Sequence, residues 1–458
     1  MSTPGPAAAA ADGTSPQLKS AIGKTARHLM PMLVILYFVA FLDRTNVGFA
    51  EEALSVDRGV SDAAFALGAG IFFIGYAIFE IPSNLMLKKF GARFWLARIA
   101  ITWGIVASLF AFTQNDTMFI VLRFLLGVTE AGLFPGVIMY LSEWFPNKRR
   151  VQMLAIFYLA QPFSQMIGAP LSGGLISFGD AITPWHGWQV MFMGEGILAV
   201  AAGIVAIFVL INGPSEAKFL SDPERDALTS AMAHEDRARS SDGPSGILKA
   251  LTSWKVWYFT IIYFCLQIAV YGTTFYLPQQ VSALIGQDVG WQVGLVSGIP
   301  WLVGLVACYL VGRSANTVFR RRTWGTGFYI ATGVFILGSA WAGASGQPLV
   351  GILCIVFAVA SFLSVGPITW AYPTAFLTGA AAAAGIGLIN SLGNLGGFVA
   401  PLMRTGINNS IPTESGAWGV VSLGVFAFLA AAMLFGTKLF TQSKSDQLLE
   451  QEVSTVPH

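Results

Sequence analysis

Long apolar runs separated by short polar turns repeat along almost the whole chain. A helix that crosses the hydrocarbon core of a bilayer needs roughly 20 mainly apolar residues. By that length, the sequence predicts twelve membrane-spanning helices, near residues 29–50, 64–87, 95–113, 117–141, 152–177, 189–212, 255–278, 292–312, 324–344, 348–371, 380–404 and 416–438. The expected fold class is therefore an all-α membrane protein.

The longest polar stretch lies between the sixth and seventh predicted spans. Six spans, a polar linker and six further spans are typical of two pseudo-symmetric six-helix bundles. The predicted domains are a disordered cytosolic tail, an N-terminal bundle, a cytosolic linker, a C-terminal bundle and a second cytosolic tail, at residues 1–28, 29–212, 213–254, 255–440 and 441–458.

Lysine and arginine are unevenly distributed among the predicted loops. With both termini and the linker in the cytosol, most of the 26 basic residues fall on that side, and the outer loops receive Arg58 and Arg404. Cytoplasmic loops carry such an excess of positive charge. We therefore expect a multi-pass protein of the inner (plasma) membrane with both termini in the cytoplasm and the bilayer as its surroundings.

Composition supports the membrane assignment and excludes several functions. Hydrophobic residues make up 55% of the chain and charged residues 11%, against about 25% charged residues in soluble domains. A net charge of +2 gives no reason to expect a nucleic-acid partner. The three cysteines lie in apolar runs, and the four histidines have no metal-binding spacing. We expect no metal, no cofactor and no enzymatic activity.

Ionisable residues inside apolar spans are the main functional signal. A charge at bilayer depth costs roughly 2.5–3.5 kcal/mol on insertion scales, so it usually faces the bundle interior and has a partner. Asp43 and Arg44 lie in the first span, and Arg123 and Glu130 lie in the fourth. Arg123 and Glu130 are two helical turns apart and therefore share a face. The alternative interpretation of Asp43 and Arg44 is a structural ion pair at a helix end. The alternative interpretation of Arg123 and Glu130 is an interhelical clamp.

The remaining polar positions give weaker evidence for a functional role. Glu80 follows Tyr76 by one turn in the second span and lies near Lys88 in sequence, which favours a structural or gating ion pair. Glu195 begins the sixth span near the outer surface, where we expect it to be solvated or structural. The second half lacks buried charges at the positions equivalent to Asp43, Arg123 and Glu130 (a repeat offset of about 228 residues). Proton and anion chemistry is therefore expected in the first half.

Four motifs carry a resemblance to a known family. They are YFVAFLDRTNVGFA (37–50), LMLKKFGARFWLARI (85–99), RFLLGVTEAGLFPGVIMYLSEWFP (123–146) and GPITWAYPTAFLTGAAAAAGIGLINSLGNLGGFVAP (366–401). With these motifs the chain resembles the major facilitator superfamily and, within it, the anion:cation symporter family. The second motif is a degenerate general inner-loop motif, whereas the other three are more specific.

The resemblance implies transport of a small organic anion, usually together with protons. Such anions are carboxylates: sugar acids, hydroxy-dicarboxylates or aromatic acids. By motif position, Asp43 and Glu130 resemble the proton-coupling pair, and Arg44 and Arg123 resemble the anion-binding and coupling arginines. The residues that resemble substrate contacts are Tyr76, Gln161, Asn390 and Ser391. Tyr271 adds to an aromatic second-half lining, for which ordinary packing is the alternative.

A physical mechanism follows from these residues. Arginine suits a carboxylate because its planar fork donates two parallel hydrogen bonds and stays protonated. In an empty site the acids would neutralise it, and protonation of an acid would release it for the anion. Alternating access would then move the site between the two sides. Ion pairs at the cytosolic ends are expected to gate it, formed by Glu80, Lys88, Arg93, Glu143 and Arg149. The alternative is an anion exchanger without proton coupling; in either case we expect a monomer.

Overall fold

The computed structural model describes residues 15–240, 245–314, 318–377, 379–412 and 416–437. In these ranges the chain is built of helices joined by short turns, with no strand. Eleven of the described helical segments are long and apolar enough to cross a membrane. The prediction of an all-α fold is confirmed.

The first half contains eight α-helices. They are α1 (Pro16–Thr45), α2 (Val47–Arg58), α3 (Asp62–Phe90), α4 (Ala92–Leu109), α5 (Asp116–Glu130), α6 (Leu133–Trp144), α7 (Asn147–Ile182) and α8 (Gly187–Val209). Side-chain caps start several of them: Ser15, Ser61 and Asn115 each accept a hydrogen bond from the backbone amide three residues later. Helix α7 is 36 residues long and covers the predicted span 152–177.

The linker and the second half follow the same pattern. The linker forms α9 (Asp222–Ser240) and α10 (Ser245–Leu251), and the second half forms α11 (Trp254–Thr274), α12 (Leu277–Ile285), α13 (Trp291–Ser314), α14 (Val318–Ala344), α15 (Pro348–Phe376), α16 (Gly379–Asn394), α17 (Gly396–Ser410) and α18 (Ala417–Gly436). The predicted spans near 29–50, 117–141, 255–278 and 380–404 are therefore each divided between two helices.

The N-terminal tail is shorter than predicted. We expected disorder up to residue 28, but α1 begins at Pro16, and only the predicted tail residues 1–14 lie outside the described residues. The cause is packing: Leu18 and Ala21 are buried, and α1 lies against linker helix α9. The second tail, 441–458, lies wholly outside the described residues.

Glycines set the close contacts between helices. Helices α7 and α13 come from different halves and pack along each other. A Cβ at Gly294 would lie 2.5 Å from the carbonyl oxygen of Ala169, and one at Gly298 would lie 2.8 Å from that of Met166. Helices α3 and α17 form a second contact between the halves.

Candidate functional site

Arg44 lies at the end of α1, on the boundary between the two halves. Its guanidinium forms an ion pair with Glu130 of α5 and donates a hydrogen bond to the Tyr271 hydroxyl of α11 at 3.3 Å. The rings of Phe41, Phe72 and Tyr76 surround it, with centroids 4.7, 5.0 and 5.5 Å from Cζ. Cation–π attraction to these faces stabilises a buried guanidinium. Arg44 thus joins a carboxylate of the first half to a hydroxyl of the second.

Glu130 is placed by a break in the fourth predicted span. Helix α5 ends at Glu130, and Gly132 then adopts φ 90°, a left-handed conformation that suits glycine, before α6 begins. The carboxyl is 1% exposed. One of its oxygens pairs with Arg44, and the other, Oε2, has no hydrogen-bond partner among the described residues. A buried acceptor without a partner is costly, so this oxygen is suited to take a proton.

Arg123 also lies over the Phe72 ring, 5.3 Å from Cζ to the centroid, but its hydrogen-bond partners differ from those of Arg44. It is 1% exposed, and its Nε and Nη2 donate to the backbone carbonyls of Gly68 and Ala69 on α3 at 3.0 and 3.3 Å. Sequence spacing suggested that Arg123 and Glu130 act together, but Glu130 pairs with Arg44 instead. The geometry corresponds to the alternative of an interhelical clamp, here between α5 and α3, and it differs from the expectation of an arginine that is open to substrate.

Asp43 points away from its neighbour Arg44. Its Oδ2 accepts a hydrogen bond from the Trp103 indole of α4 at 2.8 Å, and the residue is 2% exposed. Consecutive helix residues are about 100° apart around the axis. The two side chains therefore face different parts of the bundle, and the described contacts do not include the Asp43–Arg44 ion pair that was the alternative interpretation of these residues.

Of the two settings expected for Glu195, solvated or structural, its contacts correspond to the structural one. It is 1% exposed, so it is not solvated. Its Oε1 accepts from Ser172 of α7 and its Oε2 from Asn46, each at 2.7 Å. Sequence reasoning missed this network, although a carboxylate inside an apolar run of mean hydropathy 2.2 was a signal for it.

A further contact crosses the halves near their predicted cytosolic ends. The Ser391 hydroxyl of α16 donates to Glu80 Oε2 of α3 at 2.7 Å. Asn390, the residue before Ser391, accepts from Asn394, which itself accepts from Gln267 of α11 at 2.7 Å. Gln161 is half-buried on α7. Two predicted substrate contacts thus lie beside a predicted gating residue.

The other predicted gating residues do not bridge the halves through any contact described here. Arg93 donates through Nε to the Ile207 carbonyl at 2.6 Å, and Arg149 donates to Gln152 at 2.9 Å, both within the first half. Lys88 and Glu143 are exposed. The geometry therefore supports Glu80 as a contact between the halves, whereas the gating roles of the others remain predictions.

The second half contains a buried charge at a position that is not equivalent to Asp43, Arg123 or Glu130. Arg404, which we assigned to the outer side, is 9% exposed within α17. Its guanidinium stacks over the Tyr276 ring at 3.9 Å and donates to the Gly272 carbonyl at 3.3 Å. Its position at the end of a predicted span made it look like a loop residue.

The fold and the central arginine place the chain in a class of carriers. Residues 33–401 match the Major Facilitator Superfamily, and the chain belongs to this family. It is accordingly a multi-pass membrane transporter and not an enzyme. Among the described residues, no group of three or more His, Cys, Asp or Glu side chains could hold a metal ion.

Relatives and solved structures agree with this class. The chain is 37% identical to the inner membrane transport protein RhmT of Escherichia coli over 91% of this chain and 95% of the relative. It is 41% identical to a putative tartrate transporter of Agrobacterium vitis over 86% and 89% of the two chains. It is 36% identical to the putative metabolite transport protein NicT of Pseudomonas putida over 90% and 94%. The fold is similar to that of a D-xylose–proton symporter, with a TM-score of 0.68 at 16% identity over 89% and 97%.

Proposed function

We propose that this transporter imports a small organic anion together with protons by alternating access, as a member of the anion:cation symporter family. The carrying observation is Arg44, a guanidinium buried between the halves with one carboxylate partner and one hydroxyl partner. A buried arginine in an aromatic setting suits a carboxylate, because it donates two parallel hydrogen bonds. The similarity to a putative tartrate transporter and to a putative metabolite transport protein supports an organic acid as cargo.

Proton coupling follows from competition for Arg44. While the site is empty, Glu130 neutralises the guanidinium. When Glu130 takes up a proton, its hold on Arg44 weakens, and the substrate carboxylate replaces it. Asp43 is the second proposed proton site. It contacts Trp103 rather than Arg44, so its charge would act on the site through the local electrostatic field and not by direct pairing.

The remaining site residues have supporting roles in this proposal. Tyr76 and Tyr271 flank Arg44 and are placed to contact the substrate, and Gln161, Asn390 and Ser391 supply further hydrogen bonds. Arg123 fixes α5 to α3 and thereby positions Glu130. The Glu80–Ser391 contact must break or form as the halves rock, so we assign it to the inner gate.

Uptake into proteoliposomes tests the function directly. A panel of sugar acids, hydroxy-dicarboxylates and aromatic carboxylates is offered with and without an inward proton gradient. We expect at least one carboxylate to accumulate only with the gradient. Uptake of neutral sugars or cations alone would refute an anion cargo. Gradient-independent swapping of two anions would instead identify an exchanger.

The variant Asp43→Asn separates coupling from binding. It removes a titratable group but keeps the volume and a hydrogen-bond acceptor for Trp103. We expect loss of net gradient-driven uptake with retention of counterflow, in which labelled and unlabelled substrate exchange. Equal loss of both activities would argue against a coupling role for Asp43.

A further inference from the structure

A group of polar residues lies inside the first-half bundle, and of its members only Asp43 has a role in the function proposed above. It consists of Asp43, Asn46, Trp103, Ser172 and Glu195, which we call the inner acid cluster. Helices α1, α4, α7 and α8 each contribute to it, together with the α1–α2 junction at Asn46. Two buried carboxyl groups therefore lie in the first-half bundle, one of them one helical turn before the Asn46 that donates to the other. Asp43 is also close enough to Glu130 for that charge to act on it.

Glu195 is the less explained of the two acids. It is 1% exposed, and both of its oxygens accept hydrogen bonds, from Ser172 and from Asn46. Both of these donors are neutral, and no ion pair of Glu195 occurs in the part of the chain that the structure describes. A carboxylate that is buried without a cation is strongly disfavoured, so a proton is its usual companion.

Among the charged groups of the surrounding helices, one acts on Glu195 and three others contact different partners. Asp43 is close enough for its charge to act on Glu195. Arg44 is bound to Glu130, and Arg98 lies over the Trp95 ring, 4.0 Å from Cζ to the centroid. On α2, Arg58 lies over the Trp188 ring. The other charged residues of these elements whose side chains are described are Lys19, Lys24, Arg27, Glu51, Glu52, Asp57, Arg93, Arg149 and Arg150.

Asn46 connects the cluster to the substrate site. It is the one residue between α1 and α2, and its amide donates to Glu195. Asp43 and Arg44 lie within one helical turn before it. A change in the charge of Glu195 is therefore applied at the junction that also carries Arg44.

We propose that Glu195 is a further proton-binding residue of this transporter, which shares protons with Asp43 and sets the pH at which Asp43 titrates. The proposal rests on the proton-coupled function above. Two like charges in one dry site cannot both be ionised without cost, so the two acids take up protons as a coupled pair. Glu195 is a positioning residue for this step, since it contacts neither the substrate arginine nor its partners.

The variant Glu195→Gln tests the proposal through the pH profile of gradient-driven uptake. Without the negative charge of Glu195, Asp43 gives up its proton more readily, so half-maximal uptake should move to lower pH by about one unit, a tenfold change in proton affinity. Counterflow at saturating substrate should be retained. Glu195→Asp, which keeps an acid, should lie nearer to the wild-type profile than Glu195→Gln.

The possible failures are distinguishable. If wild-type uptake is independent of the proton gradient, the proposed function fails and this inference falls with it. If wild-type uptake depends on the gradient but the Glu195→Gln profile superimposes on it, only this inference is overturned.

A second measurement covers the case in which Glu195→Gln does not fold. The variant Ser172→Ala removes one neutral donor to the ionised carboxylate, and infrared difference spectra against wild type isolate the affected carboxyl. We expect its protonated carbonyl band to persist to higher pH in the variant. Identical pH dependence in the two proteins would overturn the proposal.

Discussion

Arg44 and Arg123 are both buried arginines of the first half, but their partners differ. Arg44 contacts a carboxylate and a tyrosine hydroxyl from two other helices, whereas Arg123 contacts two backbone carbonyls of one neighbouring helix. Side-chain partners can exchange for a ligand, but a helix backbone stays in place. The two residues should therefore respond differently to substitution.

Arg44→Lys should lose substrate binding while the fold survives. Lysine keeps the charge, but it cannot donate a planar fork to a carboxylate. Hydrogen bonds to charged groups contribute roughly 1.5–3 kcal/mol, so we expect affinity to fall about 10- to 100-fold. Substrate-induced thermal shifts of the purified protein measure this. If the variant binds substrate as tightly as wild type, Arg44 is not a substrate-binding residue.

Arg123→Met should show the opposite behaviour. Methionine keeps much of the apolar stem and removes the donors to Gly68 and Ala69. We expect the free energy of unfolding to fall by roughly 1.5–3 kcal/mol, the range for hydrogen bonds to a charged group. Thermal denaturation without substrate measures the loss. Unchanged stability together with abolished binding would show that Arg123 binds substrate and does not act as a clamp between helices.

Sequence reasoning located most of these residues but not their partners. A charge inside an apolar run is visible in the sequence, which is why Asp43, Arg44, Arg123 and Glu130 could be singled out. Their partners could not be predicted, since Trp103 and Gly68 come from other helices and are unremarkable locally. The sequence leaves Glu195 either solvated or structural and assigns Arg404 to the outer side, because both lie near the ends of predicted spans, where burial depends on the packed bundle.

At the scale of helices, the linker is more ordered than its composition suggests. Helix α9 packs on α1 with Leu228 and Met232 buried. Glu224 begins this contact: it accepts hydrogen bonds from Lys24 at 2.8 Å and from Ser20 at 2.6 Å. These donors lie on the part of α1 that we expected to be a tail. The membrane spans could be predicted from the length of the apolar runs. The contact between α9 and α1 could not, because it depends on how the polar linker helix packs in the folded protein.

The Glu224 contact should make the linker sensitive to acid. The ammonium of Lys24, then the Ser20 hydroxyl, lower the pKa of Glu224 to about 2, from roughly 4.3 in an unfolded chain. A lowered pKa in the folded state means that the contact stabilises above about pH 4.3 and that this contribution disappears as pH falls towards 2. Glu224→Gln should therefore melt at a lower temperature than wild type at pH 7.

The difference in melting temperature between wild type and Glu224→Gln should stay constant down to about pH 5 and then shrink as pH is lowered towards 2. Asp222→Asn is the matched control, because Asp222 pairs with Arg225 in an exposed position on the same helix and exposed pairs contribute little. A difference that is constant over this pH range would show that Glu224 acts by packing and not through its charge.

For the whole molecule, the contacts between halves define one arrangement of the two bundles. Near the predicted outer ends, Gln279 of α12 donates to the Gly48 carbonyl, and the Trp291 amide donates to Ser177 at 2.8 Å. Phe65 lies 5.9 Å from Tyr276, measured between ring centroids. Two apolar six-span blocks predicted this architecture, but the sequence does not encode which ends meet, since a transporter must populate more than one arrangement.

Gly298 offers a way to bias that equilibrium. A Cβ there would lie 2.8 Å from the Met166 carbonyl oxygen across the α7–α13 contact, which is too close for carbon and a backbone oxygen. Gly298→Ala should therefore open the predicted outer side. Spin labels at Glu52 and Asp288, in a background without the three native cysteines, report the separation of the halves. We expect longer distances to gain population.

Gly406→Ala on α17 is the matched control, since a Cβ there meets nothing within 4 Å. If both variants keep the wild-type distance distribution, the glycine contact does not hold this side closed; if both shift equally, the effect comes from lost backbone freedom and not from the clash.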